Sequence, residues 1–169
     1  MLKLTKIVLL GAVAVAGMGT TAANAATATG TAKVNIISAV TLTETTQMDL
    51  GVVASSATAG TVVLPDSSNT RTCSGGVTCI GTAARGAFEV SGAATGYVIS
   101  YNVAASTSLT GPGAAMALTL DPSGTATSTG TFTATAAATT FYVGGSLSVA
   151  ANQAAGTYTG TYAVTANYQ

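Results

Sequence analysis

The chain of 169 residues predicts an all-β protein built as a sandwich of two antiparallel sheets. Three observations carry that reading. The closing stretch AGTYTGTYAVTANYQ alternates with only Ala163 off pattern: Tyr158, Gly160, Tyr162, Val164, Ala166 and Tyr168 fall on one parity, and Thr157, Thr159, Thr161, Thr165, Asn167 and Gln169 on the other. Side chains of a strand alternate faces with period two, so this is a half-buried strand. Short runs rich in Val, Thr, Tyr and Phe recur along the chain between Gly, Pro, Asp and Asn clusters, the pattern of sandwich strands and their turns. Beyond the first segment, no stretch sustains an apolar stripe at helical spacing.

The elements follow in order. Lys3 and Lys6, the apolar run Ile7 to Met18 and the small-x-small triplet Ala23-Asn24-Ala25 read as a secretory signal over 1–25, so the mature chain is expected to begin at Ala26. The apolar run is short for a bilayer span, and no membrane span is expected after cleavage. Over 26–36, Ala26, Ala28, Gly30, Ala32, Val34 and Ile36 share one face, with Thr27, Thr29, Thr31, Lys33 and Asn35 on the other. A light opening strand is expected there, with a bulge or crossing near Ser38 before Val40 and Leu42 resume the pattern. The remainder, 38–169, is one domain.

Within that domain Met48-Asp49-Leu50-Gly51-Val52-Val53 and Thr61-Val62-Val63-Leu64 read as strands, the second stopped by Pro65. Cys73 and Cys79 are the only cysteines. Export makes them a disulfide, and Ser74-Gly75-Gly76-Val77-Thr78 suits a tight hairpin that sets them opposite one another. Phe88 to Val90 and Tyr97 to Val103 follow, with Tyr97, Ile99, Tyr101 and Val103 expected in the core. Met116 to Leu120, Thr131 to Thr133, Phe141 to Val143 and Leu147 to Val149 complete the set, with turns at Gly111-Pro112-Gly113 and Asp121-Pro122-Ser123-Gly124.

Composition narrows the function. After residue 25 the charges are Lys33, Arg71 and Arg85 against Glu44, Asp49, Asp66, Glu89 and Asp121, a sparse and mixed set that offers nucleic acid no basic patch. Histidine and tryptophan are absent, removing the usual general base, the commonest transition-metal ligand and the best aromatic platform for a sugar. No enzyme, cofactor or metal site is expected, and the aspartates beside turn signals read as Asx-turn residues. A carbohydrate-binding sandwich and a small outer-membrane barrel are alternatives. The first has only Tyr142 as an outward aromatic, and the second needs longer strands with aromatic girdles.

Taken together, ATATGTAKVNI, MDLGVV and AAGTYTGTYAVTANYQ resemble a bacterial secreted family of unassigned function, related to spore coat U-like proteins and archaic chaperone–usher pilins. The resemblance implies an immunoglobulin-like sandwich that lacks its last strand and is completed by the amino-terminal strand of the next subunit. It implies Ala28, Gly30, Ala32, Val34 and Ile36 as the inserting face, and Tyr168 with Gln169 as the place where a periplasmic chaperone docks before an usher assembles the homopolymer. Unlike archaic pilins, this chain has no cysteine between Ile37 and Thr46, and its donor residues are small. A structural subunit exported to the periplasm, cell surface or medium is the expectation. A monomer that closes its own sheet with 26–36 has the same alternation and stays open as the alternative.

Overall fold

A computed structural model describes residues 25–122 and 129–169. Most of the expected signal and part of the turn at 121–124 lie outside these residues. The described chain is all β: β1 (Thr41–Thr46), β2 (Val52–Ala54), β3 (Gly60–Leu64), β4 (Thr72–Gly75), β5 (Thr78–Ile80), β6 (Gly86–Ser91), β7 (Val98–Val103), β8 (Ser106–Leu109), β9 (Met116–Pro122), β10 (Thr129–Thr133), β11 (Thr139–Val149) and β12 (Val164–Tyr168). Every pairing is antiparallel. The large sheet runs β1-β6-β11-β3-β4, with β9 also on β11 and β8 on β9; a second sheet runs β10-β7-β12, and β2 with β5 forms a ribbon. This is the expected antiparallel β-sandwich.

β11 is the spine. The sequence suggests two short strands there, but Gly144 and Gly145 let one long strand run through. A Cβ on Gly144 would meet the backbone of Leu64 and Asp66, and one on Gly145 the carbonyl of Thr119. Without those side chains, residues 145–147 pair with β3 on one edge and β9 on the other, while 139–143 pair with β6.

Alternation fills the space between the sheets. Val62, Leu64, Phe88, Val90, Phe141, Val143, Leu147 and Val149 point inward from the large sheet, and Ile99, Tyr101 and Val103 from the small one. An aromatic column ties them together: Tyr101 stacks on Phe141 at 4.2 Å between centroids, Phe141 on Phe88 at 5.7 Å, and Tyr162 meets Phe88 edge-on at 5.9 Å. Tyr97, expected in the core, stands 43% exposed because it precedes β7, where the chain leaves the Gly96 turn.

Three further expectations change. Residues 25–40 are in no strand, and the opening segment 26–36 is exposed along its length; alternation prepares a strand, but only a ladder partner makes one. The bulge lies between Glu44 and Thr46 rather than near Ser38. The cysteine loop is not a paired hairpin: β4 joins β3 and β5 joins β2, so the Cys73–Cys79 disulfide, with Cα atoms 5.9 Å apart, links the large sheet to the ribbon.

The closing stretch keeps its faces but not its depth. Residues 161–169 alternate exposed and half-buried, the even positions inward, yet none of them is buried. The Tyr162 hydroxyl is enclosed with no hydrogen-bond partner, and burial, aided by Glu44, pushes its pKa from 10.0 up to about 12.

Two sets of variants check this packing. Leu64→Ala should cost about 2–5 kcal/mol by urea denaturation, Val164→Ala less, and the exposed Thr161→Ala within about 0.5 kcal/mol. Equal losses would mean that the inward face is misassigned. Tyr162→Phe deletes an unpaired hydroxyl, so it should be as stable as wild type at pH 8. Because the folded-state pKa lies above the unfolded one, the stability of the neutral phenol is full below pH 10.0 and fades as pH rises toward about 12. Wild type should therefore lose more than Tyr162→Phe between pH 9 and 11.

Candidate functional site

The half-buried closing stretch borders a groove of about 690 Å³. One wall is the chain leaving β1, from Gln47 to Ser55; the other is the chain approaching β12, from Gln153 to Gly160, with Tyr162. Leu50, Met116, Leu118, Leu147 and Val149 give it an apolar floor. The walls are antiparallel and are joined at one end, where Ser55 Oγ donates to the Gln153 carbonyl at 3.0 Å and the Asn152 N–H to the Ser56 carbonyl at 2.7 Å. Toward the other end the walls become β1 and β12 themselves.

Backbone direction decides what such a groove can hold. In an antiparallel strand the N–H and C=O of one residue point to the same side, and successive residues to opposite sides. Thr159 exchanges both bonds with Thr110, the Ala163 carbonyl accepts from Ala104, and the Gln169 N–H donates to Val98. Odd positions therefore face β7 and β8, and even positions from Tyr158 to Tyr168 present their backbone groups to the opposite edge. There, among the described residues, β12 has no strand beside it. β1 likewise pairs only with β6. The groove itself lies beyond the ends of these two strands, between segments 47–55 and 153–160, over one apolar floor.

The second wall is fixed by Tyr158. Its hydroxyl accepts from the Gly113 N–H at 2.9 Å and from Gln153 Nε2 at 2.8 Å, and donates to the Ala154 carbonyl at 3.0 Å. Cβ atoms on Gly111 or Gly113 would strike the ring or this hydroxyl, which accounts for both glycines of the Gly-Pro-Gly turn. On the first wall Asp49 accepts from the Gly51 N–H at 2.7 Å, the Asx turn expected of it.

A residue that the sequence does not single out organises that wall. The Arg71 guanidinium donates to the carbonyls of Leu50 and Val52 on the wall and of Ile80, Gly81 and Thr82 behind it. Gly51, at φ +68°, leaves it room, since a Cβ there would land on the guanidinium and on the Thr82 carbonyl. An isolated Arg between two turns gives no sequence signal of this role; only the fold brings residues 50–52 and 80–82 together.

The expected site residues divide. Ala28, Gly30 and Ala32 are exposed, and Val34 and Ile36 stand 79% and 87% exposed. Tyr168 is half-buried and tied into the fold: its hydroxyl donates to the Ser38 carbonyl at 2.8 Å and accepts from the Ala94 N–H at 2.7 Å, with Tyr97 edge-on at 5.8 Å. Gln169 is exposed. Tyr142, the outward aromatic, is covered by the Arg85 guanidinium 3.6 Å from its ring centre, so its face is occupied within the chain.

No curated protein and no solved structure matches this chain. A family spanning the whole sandwich does match: over residues 40–168 the chain belongs to the family described as Domain of unknown function (DUF4402).

Proposed function

We propose that this protein is an exported structural subunit of a filament or surface coat, assembled by strand complementation: residues 26–36 of one copy enter the groove of the next. The observation that carries the reading is the apolar groove between segments 47–55 and 153–160, the chain leaving β1 and the chain approaching β12, whose strands lie at the edges of their sheets among the described residues. An added strand would satisfy both edges with main-chain bonds and place alternate side chains on the floor.

Four features support a second copy of this chain as the occupant. Segment 26–36 alternates with period two, and its largest apolar side chains, Val34 and Ile36, are exposed. At about 3.3 Å per residue, residues 26–36 match the reach of the edge from Tyr158 to Tyr168. The one charge of the segment, Lys33, is opposite in sign to Asp49 on the first wall. Closing the groove with the chain's own segment would need a reversal just before β1, and the backbone makes no turn between Ile36 and Thr41. Ser38 is held there by Tyr168 and by its own bond to the Gly92 carbonyl at 2.6 Å. A periplasmic chaperone that covers the slot until a donor arrives, and an usher that hands subunits on, fit the same scheme.

Val34→Asp tests it. In the slot an unpaired carboxylate costs several kcal/mol, whereas on the exposed segment it costs nothing. Wild type should form oligomers visible by light scattering and negative-stain microscopy, and Val34→Asp should stay monomeric with an unchanged melting temperature. A variant that melts earlier as a monomer would point to closure of its own sheet. Oligomers that survive the substitution would sink strand complementation by this segment.

A further inference from the structure

We infer that Arg71 and the Cys73–Cys79 disulfide form one clamp that holds the groove's first wall, so that the chain accepts a strand only after its two thiols have been oxidised. The gating half of this inference rests on the strand-accepting reading above; the clamp itself rests on the geometry alone.

Leu50 anchors the first wall in the core, with Met48 and Val53 packed against it, but the wall's backbone has few partners among the described residues. β2 pairs only with β5, through Val52 with Ile80, Val53 with Cys79 and Ala54 with Thr78. Just before β2, Asp49 exchanges backbone bonds with Ala84. The wall therefore stands wherever residues 78–84 stand. Those residues are held in two ways. Arg71 bonds carbonyls on both segments at once through Nη1 and Nη2, as the planar fork of a guanidinium can and an ammonium cannot. The disulfide, two residues further along, ties Cys79 to Cys73, which is paired with Val62 of the large sheet. Beside the two-residue backbone connection at 76–77, it is a second covalent link between the sheet that forms the groove's floor and the ribbon that forms its wall.

Closing that link takes two electrons and two protons from the two thiols. They pass by thiol–disulfide exchange to a disulfide-bearing oxidant, which leaves as a dithiol. With the link open, the ribbon keeps Arg71, the Asp49–Ala84 bonds and the short connection at 76–77, but it loses the tie that pins Cys79, and through it Val53, to the large sheet. A reduced chain would then present only one firm edge to an incoming strand.

Amide hydrogen exchange on the purified full chain, oxidised and after reduction with dithiothreitol, tests the clamp without any donor strand. Reduction should speed exchange at least tenfold over 49–54 and 78–84 while 145–149 on β11 stays protected. Arg71→Gln in the oxidised chain should give the same local loss, and Arg71→Lys should not restore protection. Unchanged exchange over 49–54 would overturn the clamp, as would equal acceleration over 145–149, which would make the disulfide a general staple. The gate is read with a labelled peptide of residues 26–36 on the non-assembling Val34→Asp chain. The oxidised form should hold the peptide at least tenfold longer than the reduced form, and equal retention overturns the gate. An oxidised chain that holds no peptide would overturn the strand-accepting reading together with the gate, while the exchange result would still decide the clamp.

Discussion

A strand carries hydrogen-bonding groups on two edges, and in this sandwich the two strands that meet across the seam between the sheets, β1 and β12, each have only one edge in a ladder. Unpaired edges invite pairing with other chains, and proteins ordinarily shorten, charge or cover them. Here β12 and its approach carry Tyr, Thr, Gly, Ala, Val and Asn and no charge, whereas β1 carries Glu44 with a bulge beside it. Tyr158 and Tyr162 pack on the core and line the groove, and Val164, Ala166 and Tyr168 pack on the core from the strand at the sheet's edge, which leaves all five half-buried.

The structure around the slot is built to keep it open. Left alone, the two walls would be free to close over the floor of Leu50, Met116 and Leu147, which is itself already buried. Tyr158 prevents this on one side by spending its hydroxyl on three partners, and Arg71 on the other by drawing the wall back toward residues 80–82. Both side chains act through backbone carbonyls and amides, which position a main chain more firmly than contacts between side chains do. Glycines at 51, 111 and 113 stand where these polar groups pass close to the chain.

Much of this was legible in the sequence. The parity of 156–169 gave the inward face residue by residue, and the Val/Thr/Phe runs located most strands. The disulfide followed from there being two cysteines and a signal-like start. What the sequence could not convey were facts of pairing. Alternation from Ala26 to Ile36 says that a ladder would suit the segment, not that one forms, and the same residues are exposed here. The cysteine loop read as a hairpin because local signals describe neighbours in sequence, whereas β4 and β5 take partners from β3 and β2. Arg71 was counted only as a charge, because its five acceptors become neighbours only once the fold has formed.

Small donor residues and a modest groove fit together energetically. A strand of Ala, Gly and Thr brings little apolar area, on the order of 25 cal/mol per Å² buried, so its hold on the slot must come mainly from main-chain bonds to both edges. Each such bond contributes only about 0.5–1.5 kcal/mol net, and only when both edges are in place. Affinity built this way depends steeply on wall geometry: a displaced wall forfeits half the ladder, whereas a donor with bulky side chains would still be gripped by its pockets. Under the proposed strand complementation, that dependence is why the link between Cys73 and Cys79 bears on whether a strand is held. It also sets Val34 and Ile36 apart, as the only residues of the segment large enough to add a side-chain anchor to the ladder.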